Sequence, residues 1–186
     1  MSITEKPKER NLFLSKQVNQ DSISDLTKKI IEISEHDSYI KKLYKLDDLE
    51  YKPKPIKIYI DSYGGQVYQC LGLLNIMGSS KTPIHTIVTG CAMSCGFIIA
   101  ICGHKRFGYK RSTYLYHQVS SGSVGKIKDM EEDLVEAQRL QKEIEEITLE
   151  KTKISRKKLS KIYKQKIDWY ITSKEAEELN IIDEIL

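Results

Sequence analysis

A chain of 186 residues with 30 Lys and Arg against 26 Asp and Glu carries a formal charge of +4, enough length for one well-buried core and too little for several. The basic residues are interspersed with acids and no aromatic-basic motif accompanies them, which predicts a solvated mixed-charge surface and argues against a nucleic-acid partner. Cys70, Cys91, Cys95 and Cys102 lie in or beside apolar segments without metal-ligand spacing, and neither a leader-like apolar core at the start nor a bilayer-length apolar run occurs, so buried free thiols in a reduced cytoplasmic compartment, with no membrane contact, are expected.

Taken in chain order, Asn11-Leu12-Phe13-Leu14 predicts a strand, and Leu26, Ile30, Ile31 and Ile33 give residues 23–33 a helical apolar face. Residues 36–55 are polar and contain two prolines near their end, which predicts an extended, mobile surface insertion. Ile56-Lys57-Ile58-Tyr59-Ile60 alternates as a strand and runs into Asp61-Ser62-Tyr63-Gly64-Gly65, with a helix through Leu71, Leu74 and Met77 behind it. A further strand over 84–89 feeds Gly90-Cys91-Ala92-Met93-Ser94-Cys95-Gly96 and the apolar run that follows. Strand, turn, helix, strand in this order argues for an α/β domain with a largely parallel sheet.

Ser94 stands where a nucleophile is useful, at a tight turn into a buried helix whose first N–H groups are unpaired. A serine hydroxyl is weak until a base takes its proton, and His117, at the end of the β-rich Tyr114-Leu115-Tyr116-His117-Gln118, is the candidate base. From Lys126 to about Lys151 a four-residue period places Ile127, Met130, Leu134, Ala137, Leu140, Ile144 and Ile147 on one stripe. At 1.5 Å per residue this helix is roughly 40 Å long, so part of it must project and cover its stripe elsewhere, most simply against another subunit. In the tail, Thr172-Ser173-Lys174-Glu175 fits a capping box, 176–179 a short helix, and Asn180 a left-handed stop.

A serine and histidine are best completed by a carboxylate that orients the imidazole. No Asp or Glu lies between Ser94 and His117 and no histidine follows His117, which excludes the order Ser, acid, His of the α/β-hydrolases. The acid comes after His117 or before Ser94. Asp168, beside aromatic and aliphatic residues ahead of the capped helix, is the stronger candidate.

With these residues in view, the sequence resembles a caseinolytic Clp-type proteolytic subunit, a ClpP-like serine peptidase of crotonase-like α/β fold, from about Arg10 to Leu186. The matching motifs, in the family's order, are Asp61 to Gly65, Gly90 to Gly96, Tyr116-His117-Gln118, and Asp168 through Asp183. The resemblance implies Ser94 as nucleophile, His117 as general base, Asp168 as its orienting acid, and the backbone N–H groups of Gly65 and Cys95 as an oxyanion hole. It implies substrate backbone lying between Gln66-Val67 and Val119-Ser120-Ser121 as an added strand. It implies a single domain over 1–186, a handle over about 119–152 and two stacked heptamers around a chamber. Unfolded polypeptides are the implied substrates, delivered by a separate hexameric AAA+ unfoldase. No cofactor or metal is expected, and no Gly-rich phosphate loop ending in Lys-Ser or Lys-Thr is present.

Several positions depart from the family pattern. Asp61 and Tyr63 replace an Asn and a Pro in the Gly-Gly turn. Ser120-Ser121-Gly122-Ser123 stands in place of a Pro and a Gly-Gly pair, and Lys166-Ile167 in place of an Asp-Arg pair that bridges rings. Lys57 replaces an aromatic of the unfoldase-docking pocket, and the leading arm is short for the family's axial loops. Such departures suit a divergent, for example phage-encoded, relative. They leave two rivals to an unfoldase-fed peptidase: a noncatalytic ring subunit, and a stand-alone processing protease.

Overall fold

Strand β1 (Asn11–Leu14) buries Leu12 and Leu14, and β2 (Ile56–Ser62) buries Ile56, Ile58, Ile60 and Ser62, the two-residue period that turns one strand face into a core. The computed structural model describes residues 9–186. The short leading arm expected from the sequence falls mostly on residues 1–8, outside the described residues. β3 (Ile84–Met93), β4 (Lys105–Gly108) and β7 (Glu184–Ile185) continue the sheet in the order β1-β2-β3-β4-β7, every pairing parallel. This is the α/β architecture expected from the sequence.

β3 is long enough to take two partners on one side. Its first half pairs with β4, His85 to Val88 against Lys105 to Gly108, and its second half with β5 (Thr113–Tyr116), Cys91 to Met93 against Thr113 to Leu115. β5 in turn pairs antiparallel with β6 (Trp169–Thr172), Tyr116 opposite Trp169. The C-terminal ends of β2, β3 and β5 and the N-terminal end of β6 therefore lie side by side.

Helix α1 (Gln20–Leu46) packs on α2 (Val67–Ser79), and α3 (Cys95–Ile101) is buried along its whole length between β3, α2 and α4 (Ile127–Lys151). α1 corrects the extended insertion expected over 36–55, because its first eleven residues continue the helix. No glycine or proline interrupts 20–46, and Asn19 opens the helix with a capping box to Ser22. What broke the apolar pattern was Asp37, which is buried and fully engaged. Arg10 donates to both its oxygens, and Tyr51 and Thr82 each donate at 2.8 Å. Only 47–55 remains a connection, and Asp37 anchors it through Tyr51.

The long helix expected over 126–151 is present, and it projects as expected. Ile127, Leu134 and Val135 are 77%, 59% and 65% exposed, whereas Leu140, Gln141, Ile144 and Thr148 are buried. α5 (Arg156–Gln165) and β6 were not foreseen, although Ser155 caps α5 and Leu159 and Ile162 form its buried side. α5 also corrects the evenly mixed surface: Arg156, Lys157, Lys158, Lys161 and Lys164 lie on one short helix without an acid. In the tail, α6 (Ser173–Glu178) has the expected capping box from Thr172 to Glu175, and Asn180 has φ 55°. Among the described residues no helix is long and apolar enough to cross a membrane.

Candidate active site

The sheet topology brings the expected residues to one edge. Met93 pairs with Leu115, and Ser94, the next residue, donates its N–H to the Leu115 carbonyl at 3.0 Å. His117 follows two residues later. Continuing the β5–β6 register one residue past Tyr116 and Trp169 sets Asp168 against His117.

Ser94 itself is held in an unusual backbone state, φ 52° and ψ −123°, as β3 turns into α3. For a residue with a side chain this conformation is costly and persists only where the surroundings impose it. The surroundings here are Gly64 and Gly65, at φ 95° and 151°. A Cβ on Gly64 would stand 2.6 Å from the Met93 carbonyl oxygen and 2.7 Å from Ser94 Cβ, and one on Gly65 would stand 2.2 Å from the Val18 carbonyl oxygen. Only glycine permits so close a wall. Val18 pins that wall from behind, donating to the Gly64 carbonyl and accepting from the Gln66 N–H, each at 2.8 Å. Asp61, where the family pattern has Asn, accepts the Cys91 N–H at 3.0 Å across the register shift between β2 and β3.

Cys95 opens α3, so its N–H has no acceptor within the helix. Its thiol donates to the Gly65 carbonyl at 3.2 Å, which brings the two candidate oxyanion residues together. The other thiols are packing groups. Burial pushes Cys91 up to about 11 and Cys102 up to about 12, and the contact with Cys95 together with burial raises Cys70, so these three stay protonated.

Two adjoining cavities share Gly65, Ser94, His117 and Ser120. One is an open cleft of about 640 Å³ that includes Lys16, Gln17, Asp61 and Tyr63, and the other is a narrow recess floored by Val67, Ile98, Tyr116, Val119 and Ile144. Asp168 lines neither and is exposed. Among the described residues no hydrogen bond or ion pair joins Ser94, His117 and Asp168, and it is strand register that makes them neighbours.

The backbone available to a substrate is narrower than the sequence suggested. Gln66 is the N-cap of α2, with its N–H given to Val18 and its carbonyl accepting from Cys70, and the chain is helical from Val67. On this side the Val67 N–H, in the first turn of α2, remains. On the other, residues 118–125 form no regular element, and the Val119 N–H is given to Gln141 Oε1 at 2.7 Å. Ser120 lines both cavities and Ser121 neither. Gln141 escaped the sequence reading. The signal available was the polar pair Gln141 and Thr148 set among Ala137 and Ile144 at alternating spacings of four and three.

A sequence profile described as Clp protease matches residues 3–186. An ATP-dependent Clp protease proteolytic subunit from Bacteroides fragilis is 34% identical over 136 residues, 72% of this chain, and one from Bacteroides thetaiotaomicron matches equally. The aligned segment spans 64% and 60% of those two proteins, under two thirds of their length. The proteolytic subunit 2 from Treponema pallidum is 28% identical over 149 residues, 79% of this chain and 73% of its own. Among solved structures, a ClpP1 mutant from Listeria monocytogenes superposes with a TM-score of 0.77 over 95% of this chain and 91% of the other, at 22% identity, which is a likeness of fold.

Proposed function

The chain belongs to the Clp protease family, and from that premise we propose that it is a serine endopeptidase in which Ser94, His117 and Asp168 form the triad. The observation that carries the reading is the convergence of four chain segments, Gly64-Gly65, Ser94, His117 and Asp168, at one end of adjoining strands. Ser94 Oγ attacks the substrate carbonyl while His117 accepts its proton. The Gly65 and Cys95 N–H groups receive the developing oxyanion. His117 then returns the proton to the leaving amine, and water, activated by the same base, releases the acyl group from Ser94. Asp168 holds the imidazole in one tautomer and stabilises its charged form.

Assembly belongs to the same reading. The apolar side chains exposed on the first half of α4, Ile127, Met130, Leu134 and Val135, support a handle covered by other copies, with the sites facing a chamber formed by two stacked rings. A hexameric AAA+ unfoldase is the proposed source of unfolded polypeptide. A second reading, a noncatalytic ring subunit, is favoured by one observation: Asp168 is exposed and the three residues are not bonded to one another.

The test is intact-mass analysis of the assembled particle after reaction with a fluorophosphonate probe, beside Ser94→Ala. A single adduct lost in the variant, with peptide cleavage lost alongside, is the expected result. An unlabelled, inactive particle that assembles normally favours the noncatalytic ring.

A further inference from the structure

Gln141 is the odd member of a buried face. It shares the packed half of α4 with Leu140, Ile144 and Thr148 and is 8% exposed, and an amide taken from water needs partners. Oε1 accepts the Val119 N–H at 2.7 Å, and Nε2 donates to Glu145 Oε1 at 2.8 Å. A surface glutamine could make the second bond along its own helix. The bond to Val119 is what burial adds.

That bond has few rivals. From residues 118–125, hydrogen bonds among the described residues leave at two points, the Val119 N–H to Gln141 and the Ser123 hydroxyl to Asp133, and both acceptors are on α4. On the other side of His117, the Tyr116 ring packs edge-on against Phe97, with centroids 5.7 Å apart, and its hydroxyl is buried. Nothing bonds the imidazole itself to Ser94 or Asp168. Its place therefore depends on the backbone that carries it. Two residues beyond His117, that backbone is tied to Gln141.

We infer that Gln141 is a positioning residue for His117, holding from α4 the backbone just beyond the base so that the imidazole stays within reach of Ser94. The inference rests on the peptidase reading above. It makes the buried half of α4 part of the site's support, although no side chain of that half enters the triad.

Gln141→Leu removes the acceptor at similar volume. The rate at which a fluorophosphonate labels Ser94 and kcat for a short peptide are expected to fall about tenfold, with KM less affected, while the Val119 amide loses roughly tenfold of its hydrogen-exchange protection. Exchanging the two side chains, Gln141→Glu with Glu145→Gln, keeps an acceptor for Val119 and a bond along the helix, and restores both readouts. This pair also serves if Gln141→Leu does not fold. Wild-type labelling and protection in Gln141→Leu, or no recovery in the exchanged pair, overturns the inference. An unreactive Ser94 in the unsubstituted protein overturns the peptidase reading and the role of Gln141 with it. Val119 exchange, which needs no activity, distinguishes that failure from a missing Gln141 bond.

Discussion

The two walls of the cleft are built on different principles. On the Ser94 side, strand pairing, the Val18 bridge and two glycines pressed against backbone leave no freedom. On the His117 side, the chain leaves β5 without a strand partner: Val119 packs against the core, and among the described residues the hydrogen bonds of 118–125 to the rest of the fold are two, both to α4. The first wall is fixed by the sheet it belongs to; the second is only as well placed as the helix behind it. The proposed nucleophile and oxyanion site are built from backbone, whereas the proposed base precedes a tethered loop and depends on whatever holds α4. The first half of α4 leaves Ile127, Met130, Leu134 and Val135 uncovered in the single chain, so the second wall is the one that assembly would act upon.

The sharpest test of the fixed wall is chemical. Ser94→Ala should lower peptide hydrolysis by about 10⁴-fold or more with sedimentation unchanged, and retained turnover in a peptide assay would remove the nucleophile from this wall. Asp168→Asn probes the other side: turnover should drop by on the order of 10⁴, the loss seen for the template triad, with substrate binding kept. Wild-type rates would move the orienting acid elsewhere.

Gly64→Val tests tightness. The added side chain meets the Met93 carbonyl and Ser94 Cβ at distances no real contact tolerates, so labelling of Ser94 should fall by about 100-fold and stability by roughly 2 kcal/mol, read by probe kinetics and urea midpoint. A tolerated Gly64→Val would mean that the fixed wall can yield. Leu134→Glu puts a charge on the exposed half of α4 and should split the particle in analytical ultracentrifugation while leaving the monomer folded. An unchanged sedimentation profile would uncouple the second wall from assembly.

The smallest effect on activity is expected far from both walls. Burial alone would raise the Asp37 pKa, but hydrogen bonds from Arg10, Tyr51 and Thr82 outweigh it and hold the carboxyl below its usual range. The stability it contributes is thus present above the ordinary aspartate pKa and is lost as pH falls through the lowered one. Asp37→Asn should cost about 2 kcal/mol near neutral pH and flatten the acid limb of the stability curve, with the labelling rate of Ser94 untouched. A labelling change there would show that α1 reaches the site.

How much of this was legible varies from element to element. The Ser94 turn was legible because small residues, a lone serine and an apolar run are all adjacent in the chain. So were the Thr172 capping box and the Asn180 stop, each decided within four residues. The continuation of α1 was misread because Asp37 looks like a break in an apolar face until Arg10, Tyr51 and Thr82 are beside it. β6 is four residues long and half exposed, too short to carry a period of its own.

By itself, the sequence determined β1 to β3, the Ser94 turn, the cap and stop of the tail, the projecting half of α4 and, through its motifs, which residue types to suspect. It did so because caps, turns and periods depend on neighbours a few positions away. Only the tertiary structure decided that β5 takes the second half of β3 as its partner and β6 takes β5, which is what brings His117 beside Ser94 and Asp168 beside His117. It also decided that Gln141 turns inward to the Val119 N–H. Those choices are made by the burial and hydrogen-bond demands of segments tens of residues apart, and a local pattern records at most that Gln141 faces inward, never its partner.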